Sequence, residues 1–541
     1  MKFALLRFLS RPSSLAIAFM PIPLILALLY PASFWAMTDY EPHSLANALN
    51  MAYRLADLKM YTPLGMSYHP GVPFYLMSWL ALALTGYPLG SNDIGMFNAL
   101  VDHIRTFQLT MIGLAGVVGA AGIHLFARSA QAVVPPAVTI AGLALWLFSL
   151  PATMFTYVSP GMESFALLIN ALFFAVLVKI AYQQEVDERV VILAGCVGAV
   201  AYLNKLSYLY IPMSLISAII VKLSFDRTDR KRSATLVSLF VLSFVSAVLA
   251  AAVFIIGWRA FRDVLVFHKQ VILGSGLYGK GDPSVVSGSV IWNNLMALPA
   301  NRAYGIGIAL LGGIGVGLGG IVTAFRKPGH LPVAVLSIGA AIAATLSAMA
   351  VLKHYNEHYT AAVSATLPVC VVAGYLLLKA WASRVEAAYS LVVFVAVLLM
   401  AYPVAGSLAA RLTVYAEQSR MARSDMQEIA ALTAGDSRAL YYTYRSPFAQ
   451  FGEGFAIDFA SIPRLTEAYL ESRPNVLNTP TASKYTTPKE VGAYVIDKKY
   501  FGSADLVRNA PNLDLLGMKP VRYREGDRLI ELQTVFLLVR G

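Results

Sequence analysis

Eleven apolar runs, each of roughly fifteen to two dozen residues, decide what this chain can fold into. They lie at 14–37, 105–126, 136–154, 164–182, 190–204, 208–223, 234–257, 303–325, 331–351, 360–378 and 388–410. A bilayer core about 30 Å thick takes about 20 apolar residues in a helix. The backbone of such a run must satisfy its own hydrogen bonds in lipid, so each run is expected to be helical. Of the 541 residues, 57% are apolar and only 13% charged, against about 25% charged in a typical soluble domain. A large soluble enzyme and a disordered scaffold are both excluded. The two cysteines, Cys196 and Cys370, sit inside apolar runs and offer neither a disulfide framework nor metal-ligand spacing.

Direction follows from Lys and Arg in the short loops, which favour the cytoplasmic side. With the N-terminus inside, the inner loops hold Arg128, Arg189, the cluster Lys222, Arg227, Arg230, Lys231 and Arg232, then Arg326 with Lys327, and Lys379 with Arg384. The net charge of +12 is thus sorted by membrane side and gives no reason to expect nucleic acid as a partner. The first run exceeds the 7–15 residues of a signal-peptide core and reads as an uncleaved anchor. Residues 71–87 are apolar but short and Pro-flanked. Counting them as a span would put the basic cluster at 222–232 outside, so they read as an interfacial or re-entrant helix. The expected architecture is therefore a polytopic α-helical membrane domain over 1–410, with an external loop 38–104 carrying juxtamembrane helices. An external α/β domain over 411–541 follows.

Several basic residues fall outside, against the charge rule: Arg105, Lys205, Arg259, Arg262, Lys269, Lys280, Arg302 and Lys353, with His69, His268, His354 and His358 beside them. Singly, each reads as loop charge or as a partner for lipid headgroups. Most stand at or next to the ends of different spans, so they can converge where the spans meet. Charge at membrane depth is costly and usually has a functional partner, and a converging cationic set calls for an anionic ligand such as phosphate. Acids appear externally at Asp39 and Glu41, just after the first run, and at Glu163. A carboxylate at a membrane surface can simply end a helix. Asp39, at the exit of a span, also meets the demand that a general base sit on a rigid element. The stretch 274–281 contains both G-x-G-x-x-G and G-x-x-x-x-G-K. Gly281 stands where a nucleotide-binding loop needs Ser or Thr, and no strand–helix context surrounds it, so it reads as a mobile loop or a phosphate-approaching one. The glycines at 312–320 read as close helix packing.

In the C-terminal segment, 439–444 and 492–496 read as strands and 463–472 as an amphipathic helix. The end reads as a hairpin of 520–523 and 529–539 about a turn at 525–527. With no catalytic cluster there, the segment reads as acceptor-positioning or structural.

The order of these features resembles the GT-C-type membrane glycosyltransferases that use polyprenyl-phosphate sugars, the superfamily of protein O-mannosyltransferases and lipid A aminoarabinose transferases. The resemblance spans about residues 14–410. It rests on Asp39-Tyr40-Glu41 after the first span, His69-Pro70-Gly71 before an amphipathic helix, Arg105 opening the second span and Glu163 in an external loop. Ala201-Tyr202-Leu203-Asn204-Lys205 resembles the family's hairpin ending in Lys, and Lys353-His354-Tyr355-Asn356-Glu357-His358-Tyr359 its basic–His–Tyr signature. The acidic site is Asp-x-Glu where the family often has Asp-Glu, so the base stays open between Asp39 and Glu41. His-Pro-Gly replaces the usual His-Pro-Pro.

The resemblance implies a polyprenyl-phosphate-sugar donor, a glycan, lipid or protein acceptor, and transfer with inversion on the periplasmic side of a bacterial inner membrane. Asp39, Glu41 and Glu163 would be the catalytic acids. His69, Arg105, Lys205, His268, Lys269, Lys280, Arg302, Lys353, His354 and His358 would bind the donor phosphate or substrate. Some members place a divalent metal near the acidic site, and Asp39, Glu41 and a nearby His offer suitable ligands, although nothing in the sequence demands one. Two other readings stand beside this one. A transporter or flippase of a lipid-linked anion would also need external cations, but transporters commonly show repeated halves with broken helices, and no repeat is seen here. A ligase or polymerase that moves a whole glycan is the other.

Overall fold

A computed structural model describes residues 11–29, 48–49, 52, 70–87, 104–158, 160–226, 228–274, 283–284, 287–300, 303–355, 359–382, 386–433, 438–442, 476–478, 491–498, 502–509 and 523–541. The chain divides into two compact units, one of Met1–Ile25, Ser67–Phe74 and Ile112–Ala409, the other of Leu26–Met66, Tyr75–Met111 and Ala410–Gly541. The helices are α1 (Pro12–Phe19), α2 (Ile22–Leu29), α3 (Val72–Leu84), α4 (Ile104–Ala130), α5 (Pro136–Phe148), α6 (Pro151–Val158), α7 (Ala166–Tyr182), α8 (Glu188–Asn204) and α9 (Tyr210–Phe225). They continue as α10 (Arg230–Ala251), α11 (Trp258–Leu273), α12 (Gly288–Ala297), α13 (Tyr304–Arg326), α14 (Leu331–Lys353), α15 (Thr360–Ser364), α16 (Leu367–Trp381), α17 (Glu386–Leu432) and the short α18 (Ala504–Asn509).

Nine helical stretches among the described residues are long and apolar enough to cross a membrane. The chain is an integral membrane protein. Two of the eleven runs read from sequence are not among the nine. The run at 136–154 is broken into α5 and α6 at Ser149–Leu150, because Pro151 lacks the amide that would continue the first helix. The run at 190–204 lies in α8, a helix of 17 residues that starts at charged Glu188 and is capped where Asp187 accepts from the Val190 amide at 2.8 Å. The apolar stretch after Gly71 forms α3, whose 13 residues extend only about 20 Å, short of a bilayer core. A π-turn at Ala252–Ile256 and Gly257, at φ +89°, end the α10 span and turn the chain into α11.

Close packing in the first unit is clearest between α13 and α14. A Cβ at Gly313, Gly317 or Gly320 would come within about 3 Å of Thr345, Ala341 or Ser337, so the glycine run does serve helix approach at those three positions. Gly312 and Gly315 face open space instead.

In the second unit five strands form one sheet, β1 (Arg438–Tyr442), β2 (Val476–Asn478), β3 (Val491–Asp497), β4 (Arg528–Glu531) and β5 (Val535–Val539), in the order β2-β1-β3-β5-β4. β1 pairs in parallel with β2 and β3, and β5 runs antiparallel to β3 and β4. Alternate residues Ala493, Val495, Val535 and Leu537 turn one face toward Ala422 and Ile429 of α17. The hairpin differs from the sequence reading. Residues 529–539 form two strands rather than one, with the reversal at Leu532–Thr534. Asp425 of α17 fixes that turn, accepting from the amides of Gln533 (2.9 Å) and Thr534 (2.6 Å) and from the Thr534 hydroxyl (2.6 Å). The helix expected at 463–472 lies outside the described residues.

Candidate functional site

The sequence that ends α8 builds one wall of the site. Asn204 is the last helical residue, Lys205 leaves the helix with extended φ and ψ, and a single 3₁₀ turn at Leu206–Tyr208 leads into α9. The chain reverses here because both neighbouring runs are too apolar to leave the core while Asn204 and Lys205 carry the polar load. The Asn204 amide donates to the Met162 carbonyl at 2.9 Å, which fixes the 3₁₀ turn Met162–Phe165 against it. From the other side the Gly71 amide donates to the Asn204 carbonyl at 3.2 Å. Gly71 does so at φ +59°, a conformation glycine adopts at no steric cost.

Met162–Phe165 delivers Glu163, which is 2% exposed, into an ion pair with Lys205, itself 3% exposed. Two buried charges satisfy each other here, as burial requires. The Lys205 ammonium also lies 4.0 Å from the centroid of the Tyr359 ring, a cation–π arrangement strengthened by desolvation. Lys353, the last residue of α14, is buried as well. Its ammonium donates to the carbonyls of Ile272 (2.7 Å) and Val271 (3.3 Å) in the last turn of α11, where a helix presents carbonyls without intrahelical partners. His354 Nε2 stands 3.0 Å from the same Val271 carbonyl.

These residues meet at one cavity of about 390 Å³. Its polar lining residues are Lys205, Ser207, Tyr210, Lys353, His354 and Tyr359. The remaining lining is apolar, with Leu209 from the turn before α9 and Met213, Phe267, Ile291, Leu346 and Met349 from α9, α11, α12 and α14. Its volume falls in the range of small-ligand sites. An amphiphile with an anionic head and an apolar tail matches this lining.

Of the residues singled out from sequence, Lys205, Lys353 and His354 line this cavity, and Glu163 stands directly behind Lys205. His268 is on α11 but not on the cavity wall. Its Nδ1 shares a 3.0 Å hydrogen bond with the Tyr202 hydroxyl, and the two rings meet edge to face. Burial pushes its imidazole down to about 4, so it is neutral at pH 7. Lys269 is exposed. Arg105, half-buried in the second unit, donates toward Gln108 (3.4 Å) and the Ala27 carbonyl (3.5 Å). Asp39, Glu41, His69, Lys280, Arg302 and His358 lie outside the described residues. Among the described residues no group of three or more His, Cys, Asp or Glu could hold a metal ion. The metal ligands offered by the sequence, Asp39 and Glu41, are outside that set.

Tyr359 and Tyr202 were not singled out as site residues, although both belong to the segments that carry the resemblance. A tyrosine six residues after a buried lysine carries no periodic signal, and only the fold brings its ring under Lys205.

Together these features define a polytopic helical membrane protein with a largely apolar cavity whose lining includes two buried lysines. No protein-family model matches the chain, and no curated protein matches it. Among solved structures it is similar to ArnT from Cupriavidus metallidurans bound to undecaprenyl phosphate, with 12% sequence identity, a TM-score of 0.48 and 97% of each chain covered.

Proposed function

We propose that this protein is a membrane glycosyltransferase that moves a sugar from a polyprenyl-phosphate donor to an acceptor hydroxyl on the periplasmic side. The observation that carries the reading is the cavity, whose largely apolar lining includes two buried lysines. An isoprenoid tail matches the walls, and a phosphate matches Lys205, Lys353 and His354. In the reaction the acceptor oxygen attacks the anomeric carbon as the bond from that carbon to the phosphate oxygen breaks. Asp39 takes the acceptor's proton, with Glu41 the alternative base, and the polyprenyl phosphate leaves carrying the electron pair. Attack from the side opposite the leaving phosphate inverts the anomeric centre. The lysines stabilise charge that grows on the phosphate oxygens, which is the kind of preorganised electrostatic contribution that often dominates catalysis. Residues 411–541 serve in this reading as an external domain with an acceptor-positioning or structural role.

The direct test is turnover of a purified polyprenyl-phosphate sugar by the full chain in nanodiscs. Asp39→Asn should lower turnover by about 10² to 10⁴ while donor binding persists. Unchanged turnover would remove Asp39 from the mechanism. Translocation of the lipid in vesicles without any acceptor would instead favour a flippase.

A further inference from the structure

His268 is buried and neutral, yet it lies off the cavity wall and the reaction above gives it no task. Its Nε2 has no hydrogen-bond partner among the described residues, so the Tyr202 hydroxyl is the one polar contact described for this side chain. The position of that contact is informative. Tyr202 sits three residues before Lys205, in the last turn of α8. His268 sits three and four residues before Val271 and Ile272, hence on the same face of α11 one turn earlier. Val271 and Ile272 supply the carbonyls that hold Lys353, and Val271 also meets His354. The phenol–imidazole bond therefore ties the helix end that launches Lys205 to the helix end that anchors Lys353.

We propose that Tyr202 and His268 are positioning residues that set the spacing of the Lys205 and Lys353 ammonium groups so that both meet one phosphate. This rests on the proposed binding of a lipid phosphate at the cavity. A neutral imidazole suits the role, because a third positive charge at this depth would have no described counter-ion. On either tautomer Nδ1 and the hydroxyl form one bond, with the tautomer setting which of them donates. Each lysine is already held by protein groups, Lys205 by Glu163 and Lys353 by carbonyls, so what remains to be fixed is the separation between the two helix ends.

The test uses the full chain in phosphatidylcholine nanodiscs with two probes, undecaprenyl phosphate and the uncharged alcohol undecaprenol. The wild type should bind the phosphate more tightly than the alcohol. Tyr202→Phe, which removes a single oxygen, should weaken phosphate binding about five- to tenfold, in line with one lost hydrogen bond, and leave alcohol binding unchanged. His268→Leu should do the same, and His268→Asn, which keeps a hydrogen-bonding atom near the Nδ1 position, should restore most of the preference. A general loosening of the helices would weaken both probes together. If the wild type binds both probes equally, the lipid-phosphate reading itself fails. If the wild type discriminates and Tyr202→Phe retains the full ratio, or loses both probes in parallel, the positioning role is overturned.

Discussion

Both units of this protein bury charge, but they finish it differently. Among the described residues of the second unit, the buried charges are closed on their own fold. Arg540 pairs with Asp527 and lies 4.8 Å from the Tyr494 ring, Asp527 also accepts from the Arg524 amide at 2.8 Å, and Asp425 is saturated by the β4–β5 turn. In the first unit, Lys205 and Lys353 have protein partners too, but both also border a cavity. Closed charge specifies a fold. Charge that borders open volume can serve a ligand as well, and that contrast is the reason to seek the chemistry at Lys205 and Lys353 rather than in the sheet.

The sharpest way to break the contrast is Glu163→Gln. It removes the Glu163 charge from the pair with buried Lys205, and removing one partner of a buried pair costs about 3–5 kcal/mol. The thermal midpoint in nanodiscs should fall accordingly, and the double variant Glu163→Gln, Lys205→Met should recover most of the loss. Because Lys205 lines the cavity, the double variant, which removes its ammonium, should also bind undecaprenyl phosphate more weakly than the wild type. Stability lost with binding intact would place Lys205 among the closed charges.

A second effect comes from pH. The imidazole of His268 is held at about 4, below its ordinary value near 6.5, by burial beside Tyr202 and Phe267. The charged neighbours on its own helix, Arg262, Asp263 and Lys269, are exposed. Between those two pH values the unfolded chain takes up a proton that the folded chain refuses. Stability is therefore full above pH 6.5 and falls as the pH drops toward 4, by about 3 kcal/mol in all. Melting curves across that range should show the fall, and His268→Asn should flatten it. An identical pH dependence in the variant would show that His268 is not the group responsible.

Asp425→Asn isolates the closed type of charge. One carboxylate oxygen accepts twice from Thr534 and the other accepts from Gln533, so the amide should cost about 2 kcal/mol. Faster hydrogen exchange at Gln533 and Thr534 would report it, with undecaprenyl phosphate binding unchanged. A change in that binding would mean the two regions are not separable.

How much of this could be read in advance follows from the scale of each signal. Spans are stretches of twenty residues and survive local error, so the membrane architecture was legible. The exceptions had local causes, Pro151 dividing one run and charge at both ends of α8, Glu188 and Lys205, keeping another to 17 residues. The strand at Arg438–Tyr442 and the strand at Val491–Asp497 were legible as short runs rich in aromatic and β-branched residues, whereas the turn at Leu532–Thr534 was not, because Asp425 imposes it from about 108 residues away. Lys205, Lys353 and His354 stood out as cations where the charge rule forbids them. Tyr359 and the Tyr202–His268 pair did not, since an aromatic residue in an apolar protein reads as core until a partner from another helix is known.

The smallest expected effect concerns a backbone support of the residue before Lys205. Gly71 donates its amide to the Asn204 carbonyl while at φ +59°, one residue from Lys205 along the chain. Gly71→Ala would place a Cβ in the left-handed region at a cost of about 1 kcal/mol, and the strain would fall on the contact that holds the end of α8. The thermal midpoint should drop slightly, and undecaprenyl phosphate affinity should fall about two- to threefold if half of that strain reaches Lys205. Gly71→Asn, a residue that tolerates this conformation better, should lose less on both measures. If affinity follows the order Gly, Asn, Ala while Asp425→Asn leaves it untouched, the cation end of the cavity is held in tension by its backbone supports. If affinity ignores Gly71 altogether, the ion pair with Glu163 alone fixes Lys205, and the contact from Gly71 belongs with the closed kind of interaction seen in the sheet.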